Sequence, residues 1–161
     1  IYPSAGEKQY YSILSRLVDL NLYGGEYNLE DALKFVVPFL QQGNILVIVS
    51  DFIGLKGEWK KYLKMACSKF DVIAVMIKDT RDRELPLNVG DVVVSSPYSD
   101  EKVTIKPEMI KEEYESYVRE EEKQIELIFE DNRADFLLLT TDKPFVTPIV
   151  KLFKKRSLKF R

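Results

Sequence analysis

The sequence predicts an α/β fold: a three-layer sandwich with helices packed around a short parallel sheet. Three observations lead there. Three short apolar runs, at residues 45–49, 72–77 and 136–139, are rich in β-branched or aliphatic side chains and bounded by polar or turn residues. That is the pattern of strands buried on both faces, as in a parallel sheet. Stretches of helical spacing alternate with these runs. The strand, helix, strand succession from residue 45 to residue 77 has the length of a right-handed βαβ unit. The whole chain, residues 1–161, is expected to form a single domain with a core of its own.

Residues 1–6 hold Pro3, Ser4 and Gly6 and read as a lead-in loop. From Glu7 to Leu20 the apolar positions Tyr10, Ile13, Leu14, Leu17 and Val18 recur every three or four residues. They predict an amphipathic helix that packs one face on the sheet. Gly24 and Gly25 break it. Asn28 is placed to cap the next helix, and Glu30 and Asp31 suit its first turn electrostatically. That helix carries Leu29, Leu33, Val36 and Val37 on one side, and Pro38 should kink or shorten it. Gly43 is a suitable stop.

The first strand, about 44–50, ends at Ser50-Asp51, and a loop leads through Gly54 and Gly57 to a helix over about 58–70. Trp59, Tyr62, Leu63 and Ala66 form its apolar face. The second strand, about 71–78, ends in Lys78-Asp79. Residues 80–90 read as a charged loop. Two short runs within about 91–105, around the turn Pro97-Tyr98-Ser99-Asp100, predict a rim β-hairpin. Pro107 fits the first turn of a long helix over about 107–131. Its apolar stripe is interrupted by Glu120-Glu121-Glu122, which reads as a solvated segment, with a partner-facing acidic patch as the sharper alternative. The third strand covers about 134–140. Thr141 or Asp142 can cap a closing helix with Pro144 near its start. Lys151, Lys154, Lys155, Arg156, Lys159 and Arg161 follow without an acid among them. Basic residues suit a helix C-terminus. A phosphate or acidic-partner site is the alternative.

Composition narrows the chemistry. The chain has no histidine and one cysteine, Cys67. This removes histidine-based triads and acid/base catalysis, intrachain disulfides and thiolate metal clusters. Any metal would be a hard ion held by oxygen. A formal charge of -2 gives no electrostatic reason to expect nucleic acid. No stretch is long enough to span a membrane, and no signal-peptide pattern opens the chain. The chain starts at Ile1 rather than Met, so it is expected to be a trimmed or engineered piece of something longer.

The candidate site is the end of the first strand. In open α/β sheets ligands bind outside the carboxyl ends of the strands, and Ser50 and Asp51 would lie at that edge. Asp79, at the end of the neighbouring strand, would lie beside them. The plainer alternative is that Asp51 only caps the loop that follows. There is no Gly-rich phosphate loop, and Ser50-Asp51 has no base or orienting third group in the sequence.

The order of these features resembles the von Willebrand factor A fold. The resemblance rests on the strand ending in Ser50-Asp51-Phe52, on Trp59 in the helix after it, and on the strand ending at Asp79. It continues through Arg83-Glu84-Leu85-Pro86 with Val89-Gly90, Ser96-Pro97-Tyr98-Ser99, the long helix, Asp135-Phe136 and the closing Phe153-Lys154-Lys155-Arg156. The Glu-Leu-Pro and Val-Gly element and the basic terminal helix are similar to the prokaryotic branch called domain of unknown function fifty-eight. The likeness starts after that fold's third strand.

The resemblance implies a metal position and a partner. In the wider fold a magnesium ion is held by an Asp-x-Ser-x-Ser loop, a Thr and an Asp. The third-loop Asp falls on Asp51, with Ser50 next to it, and the Thr position falls near Tyr27. The Asp-x-Ser-x-Ser motif is absent from this chain. The implied site is therefore incomplete here, with no cofactor expected and Mg²⁺ as the alternative in a full-length parent. The branch is often paired with MoxR-type AAA+ ATPases, which implies a non-catalytic protein-interaction module in the assembly or activation of other proteins. The alternative is a Mg-dependent enzyme or phosphoacceptor using Asp51. The expected location is cytoplasmic, with the parent membrane-anchored upstream.

In the wider fold the strand at residues 44–50 has a neighbour that this chain lacks. An uncharged open edge is a template for pairing. A homodimer or strand-exchanged oligomer through Ile45, Val47 and Val49 is the expected assembly.

Overall fold

The computed structural model describes residues 1, 4–24, 27–95 and 102–159. Helix α1 spans Glu7–Leu17 and α2 spans Leu29–Phe39, with a 3₁₀ turn at Leu20–Leu22 between them. Strand β1 (Ile45–Ser50), helix α3 (Trp59–Lys69) and strand β2 (Asp71–Lys78) form the βαβ unit. The short helix α4 (Thr80–Arg83) leads to the hairpin strands β3 (Val92–Ser95) and β4 (Lys102–Ile105). Then come the long helix α5 (Pro107–Asp131), strand β5 (Asp135–Thr140) and helix α6 (Val146–Lys159).

The main sheet has three parallel strands in the order β1-β2-β5. The hairpin is a separate antiparallel pair, with Val92 opposite Ile105. The expected α/β class, the parallel sheet, the hairpin and the long helix are all present. The expected hairpin turn and the Ser96-Pro97-Tyr98-Ser99 element lie outside the described residues, as do Pro3, Gly25, Phe160 and Arg161.

One face of the sheet carries the core. Leu33 of α2, Leu63 and Ala66 of α3, Ala74 and Met76 of β2, and Phe129 of α5 are all essentially inaccessible. Phe129 is the hub: its ring centroid lies 5.3 Å from Phe52, 5.9 Å from Phe136 and 6.3 Å from Trp59. Such aromatic pairs add roughly 0.5–1.5 kcal/mol each beyond the area they bury. Asn28 caps α2 as expected, its Oδ1 accepting the Asp31 N–H at 3.0 Å. Pro38 is tolerated because α2 ends one residue later, and Leu40 N–H still reaches the Val36 carbonyl.

Four expectations are corrected. Helix α1 buries none of its residues: Tyr10, Tyr11 and Leu17 are each more than 60% exposed, as is Val18 just after it. Its periodicity is amphipathic, but no layer of the described fold receives it. Strand β1 is not buried on both faces. It is an edge strand, and Ile45, Val47 and Val49 alternate with the half-buried Leu46, Ile48 and Ser50. The charged loop after β2 contains the helical turn α4, which Asp79 caps. Finally, Glu122 is buried, not solvated, and meets Arg83.

Two charge clusters hold the layers together. Arg156 of α6 donates to the carboxylates of Asp71 and Asp135, at the amino ends of β2 and β5. The basic stretch after Val150 thus contains one buried clamp, not only a solvated tail. Helix α4 and the segment after it are tied to α5: Tyr114 Oη donates to the Asp82 carbonyl at 2.8 Å and Lys111 Nζ to the Leu85 carbonyl at 2.6 Å.

Candidate functional site

The carboxyl edge of the parallel sheet collects the ends of β1, β2 and β5. At the end of β1 the chain turns sharply. Phe52 has a φ of 53°, in the left-handed region that a residue of this size rarely adopts. The turn delivers its ring into the core at 2% exposure. Ser50 and Asp51 hold this turn. Ser50 Oγ accepts the Phe52 N–H at 2.9 Å, and Asp51 Oδ1 accepts the Ile53 N–H at 3.0 Å. Ser50 Oγ also donates to Tyr27 Oη at 3.1 Å.

The predicted residues Ser50 and Tyr27 are therefore in direct contact, although they are 23 positions apart in sequence. Asp51 is exposed at the same edge and caps its own loop. Asp79 stands at the end of the adjacent strand and does equivalent work: its Oδ1 accepts the Arg81 N–H at 2.9 Å and the Arg81 Nε–H at 3.3 Å. The backbone N–H and guanidinium of Arg81, with the Thr141 hydroxyl, hold the Asp79 carboxyl below its ordinary range. Asp51 and Asp79 thus share an edge, while each is engaged with its own loop.

Two residues at this edge escaped sequence reasoning. Asp142, after β5, accepts hydrogen bonds from the Thr140 and Thr80 hydroxyls, which hold its carboxyl below the ordinary range. It therefore joins the β5 end to α4. Lys78 is the last residue of the central strand, is only 5% exposed, and lies opposite Thr140. A signal for Lys78 was present: it continues the alternate row Val72, Ala74, Met76, which faces the core.

Among the described residues no group of three or more Asp, Glu, Cys or His side chains comes together as a metal cage. Cys67 is half-buried, and burial pushes its thiol up to about 11, so it is a poor nucleophile.

The other predicted surface lies at the side of the sheet. Strand β1 pairs with β2 and with no other strand among the described residues. Ile45, Val47 and Val49 are 59%, 51% and 60% exposed on the face that α6 leaves open. Between β1 and α6 runs a groove of about 630 Å³, floored by Ile73, Val75 and Leu137 and walled by Val47, Val49 and Phe153. No described helix is long and apolar enough to cross a membrane.

Residues 1–124 match the family model described as Protein of unknown function DUF58. An uncharacterized protein of Mycobacterium avium is 28% identical over 112 residues, 68% of this chain and 64% of that protein. Uncharacterized proteins of Mycobacterium bovis and Mycobacterium tuberculosis are 29% identical over 112 residues, 68% of this chain and 34% of theirs. The chain thus matches about two thirds of one of these relatives and about one third of the others. No solved structure matches the chain.

Proposed function

The chain belongs to the family Protein of unknown function DUF58, and from that premise we propose that it is a non-catalytic protein–protein interaction module. The observation that carries this reading is the bare side of the sheet. Strand β1 offers unpaired backbone groups along its outer edge, beside exposed Ile45, Val47 and Val49 and the apolar groove under α6. Unpaired strand edges recruit further strands, and contiguous exposed apolar surface marks docking sites. A second copy of the chain, pairing edge to edge, is the simplest occupant and gives a homodimer or strand-exchanged oligomer. The resemblance to the domain of unknown function fifty-eight branch extends the proposal to a MoxR-type AAA+ ATPase as the working partner, with the action taking place in the cytoplasm.

Two measurements test the proposal. Light scattering on the purified chain should show a concentration-dependent dimer that Val47→Lys disperses while the fold is retained. A monomer at high concentration would remove the homodimer. Co-purification of the full-length parent with the ATPase tests the partner, and no association in either nucleotide state would remove that part.

One observation favours a second reading, a phosphoacceptor at Asp51: its carboxylate is exposed at the sheet edge where such chemistry occurs. An Mg²⁺-dependent spectral change on adding beryllofluoride would support that reading, and no change would remove it.

A further inference from the structure

The outer edge of β5 is open. The Thr141 N–H donates to the Lys78 carbonyl at 3.0 Å, which fixes the side of β5 that faces β2. Backbone groups along a strand point alternately to its two sides. The N–H and C=O of Phe136 and Leu138, and the N–H of Thr140, therefore point away from β2. Among the described residues no strand lies on that side, and no hydrogen bond reaches these groups. At about 3.3 Å per residue, Phe136 to Thr140 offers an edge of roughly 15 Å.

This edge is the floor of a groove, not a flat rim. A cavity of about 230 Å³ lies between it and α5, lined by Arg119, Lys123, Glu126 and Leu138. A second, of about 220 Å³, lies at its carboxyl end, lined by Leu138, Thr140, Lys143 and Pro148. Leu138 lines both, and the Arg83–Glu122 pair puts one residue in each wall. Pockets beside an unpaired strand are what seat the side chains of an added strand.

The charges say what kind of strand fits. Glu122 is taken by Arg83 at two points and Glu126 by Lys123 at 2.7 Å. Arg119 is held only by Glu115 among the described residues, at 3.8 Å, and its side chain is 62% exposed. Lys143, exposed at the other cavity, forms no salt bridge among the described residues. The groove thus carries excess positive charge in both halves. The β5 edge of a second copy would bring like charges together, which disfavours self-pairing. Acidic side chains complement these cations.

We propose that the outer edge of β5 is a strand-addition site for an extended acidic segment of a partner protein, about five residues long. It lies on the opposite side of the sheet from β1 and does not rest on the homodimer or the ATPase partnership.

The test uses the full chain, isotope-labelled, with two capped peptides: Glu-Val-Thr-Val-Glu and its counterpart Lys-Val-Thr-Val-Lys. NMR amide shifts and hydrogen exchange are followed along β5. With the acidic peptide, the Phe136 and Leu138 amides should shift saturably and exchange more slowly. Those of Leu137 and Leu139, already bonded to β2, should keep their rates. The acidic peptide should bind about tenfold more tightly than the basic one, and salt should shrink the difference. Arg119→Glu combined with Lys143→Glu, both at exposed positions, should reverse the order with the fold retained. The acidic peptide N-methylated at every amide keeps its charge but can donate no backbone hydrogen bond, and should lose the protection. The proposal is overturned if neither peptide protects Phe136 and Leu138, which would leave the cations as a guard against edge pairing. Equal or tighter binding of the basic peptide, or equal protection by the N-methylated one, would overturn it too.

Discussion

Arg83 and Glu122 face each other in a two-point ion pair, Nε to Oε1 at 2.8 Å and the second nitrogen to Oε2 at 3.0 Å, across 39 positions of sequence. Glu122 is buried and Arg83 about three-quarters so. Removing the carboxylate leaves a largely buried guanidinium without its acceptor. Glu122→Ala should therefore destabilise the chain by about 2–4 kcal/mol, since breaking one side of a buried pair is costly. Glu120→Ala and Glu121→Ala, at exposed positions, should change stability by less than about 0.5 kcal/mol. Urea denaturation of the three variants checks this contrast, and equal effects would contradict it.

A second prediction concerns Arg156. Its guanidinium spans Asp71 and Asp135 and so pins α6 to the amino ends of two strands. Lysine is a single point charge and cannot reproduce a planar fork. Arg156→Lys should lower stability by about 1–2 kcal/mol and Arg156→Met by more. Lys154→Met and Lys155→Met, at exposed positions of the same helix, should have little effect. Thermal melts of the four variants decide it.

The carboxyl edge should contribute to acid sensitivity, alongside Glu30 and Glu115, whose carboxyls Lys34 and Lys111 hold below their ordinary range. Asp142 is held low by the Thr140 and Thr80 hydroxyls, and Asp79 by the backbone N–H and guanidinium of Arg81. A carboxyl depressed in the folded state contributes stability that is complete above its unfolded value, near 4, and is lost as pH falls through the folded value. Stability should thus decline below about pH 4. Asp142→Asn should flatten that decline while lowering stability at pH 7. Chemical denaturation between pH 2.5 and 7 reads both effects, and an unchanged slope in the variant would count against the assignment.

Gly57 gives a backbone test. Its φ is 75°, and a Cβ there would run into the Glu30 carboxylate, which accepts the Glu58 N–H. Gly57→Ala should cost about 1–2 kcal/mol, from the left-handed backbone and the displaced carboxylate together. Gly43→Ala, also at positive φ but with open space around its Cβ, should cost less. Comparing their denaturation midpoints separates the two contributions.

Burial should also protect Cys67. With its thiol pushed up to about 11, alkylation by iodoacetamide at pH 8 should be much slower in the native chain than in urea. Equal rates would show that the thiol is open to solvent.

Much of this molecule was legible as sequence. The apolar runs containing Val47, Ile73 and Leu137 became the three strands, because hydrophobic runs between turn residues have few other stable uses. Asn28 and Pro107 began helices where expected, because capping and a missing N–H are local effects. Ser50 and Asp51 emerged at the carboxyl edge because strand direction follows from the βαβ connection.

Other features depended on which residues the fold brings together across long sequence separations. The sequence alone showed that Glu122 and Arg156 are charged, and their neighbours in sequence suggested solvent. Only the tertiary structure placed Glu122 against Arg83 and Arg156 between Asp71 and Asp135. Helix α1 makes the converse point: its period is helical, but no periodicity states whether a surface exists to receive its apolar side. Local backbone preference and hydrophobic period are written within a few residues. Burial and charge pairing are properties of surfaces that meet only once the chain has folded.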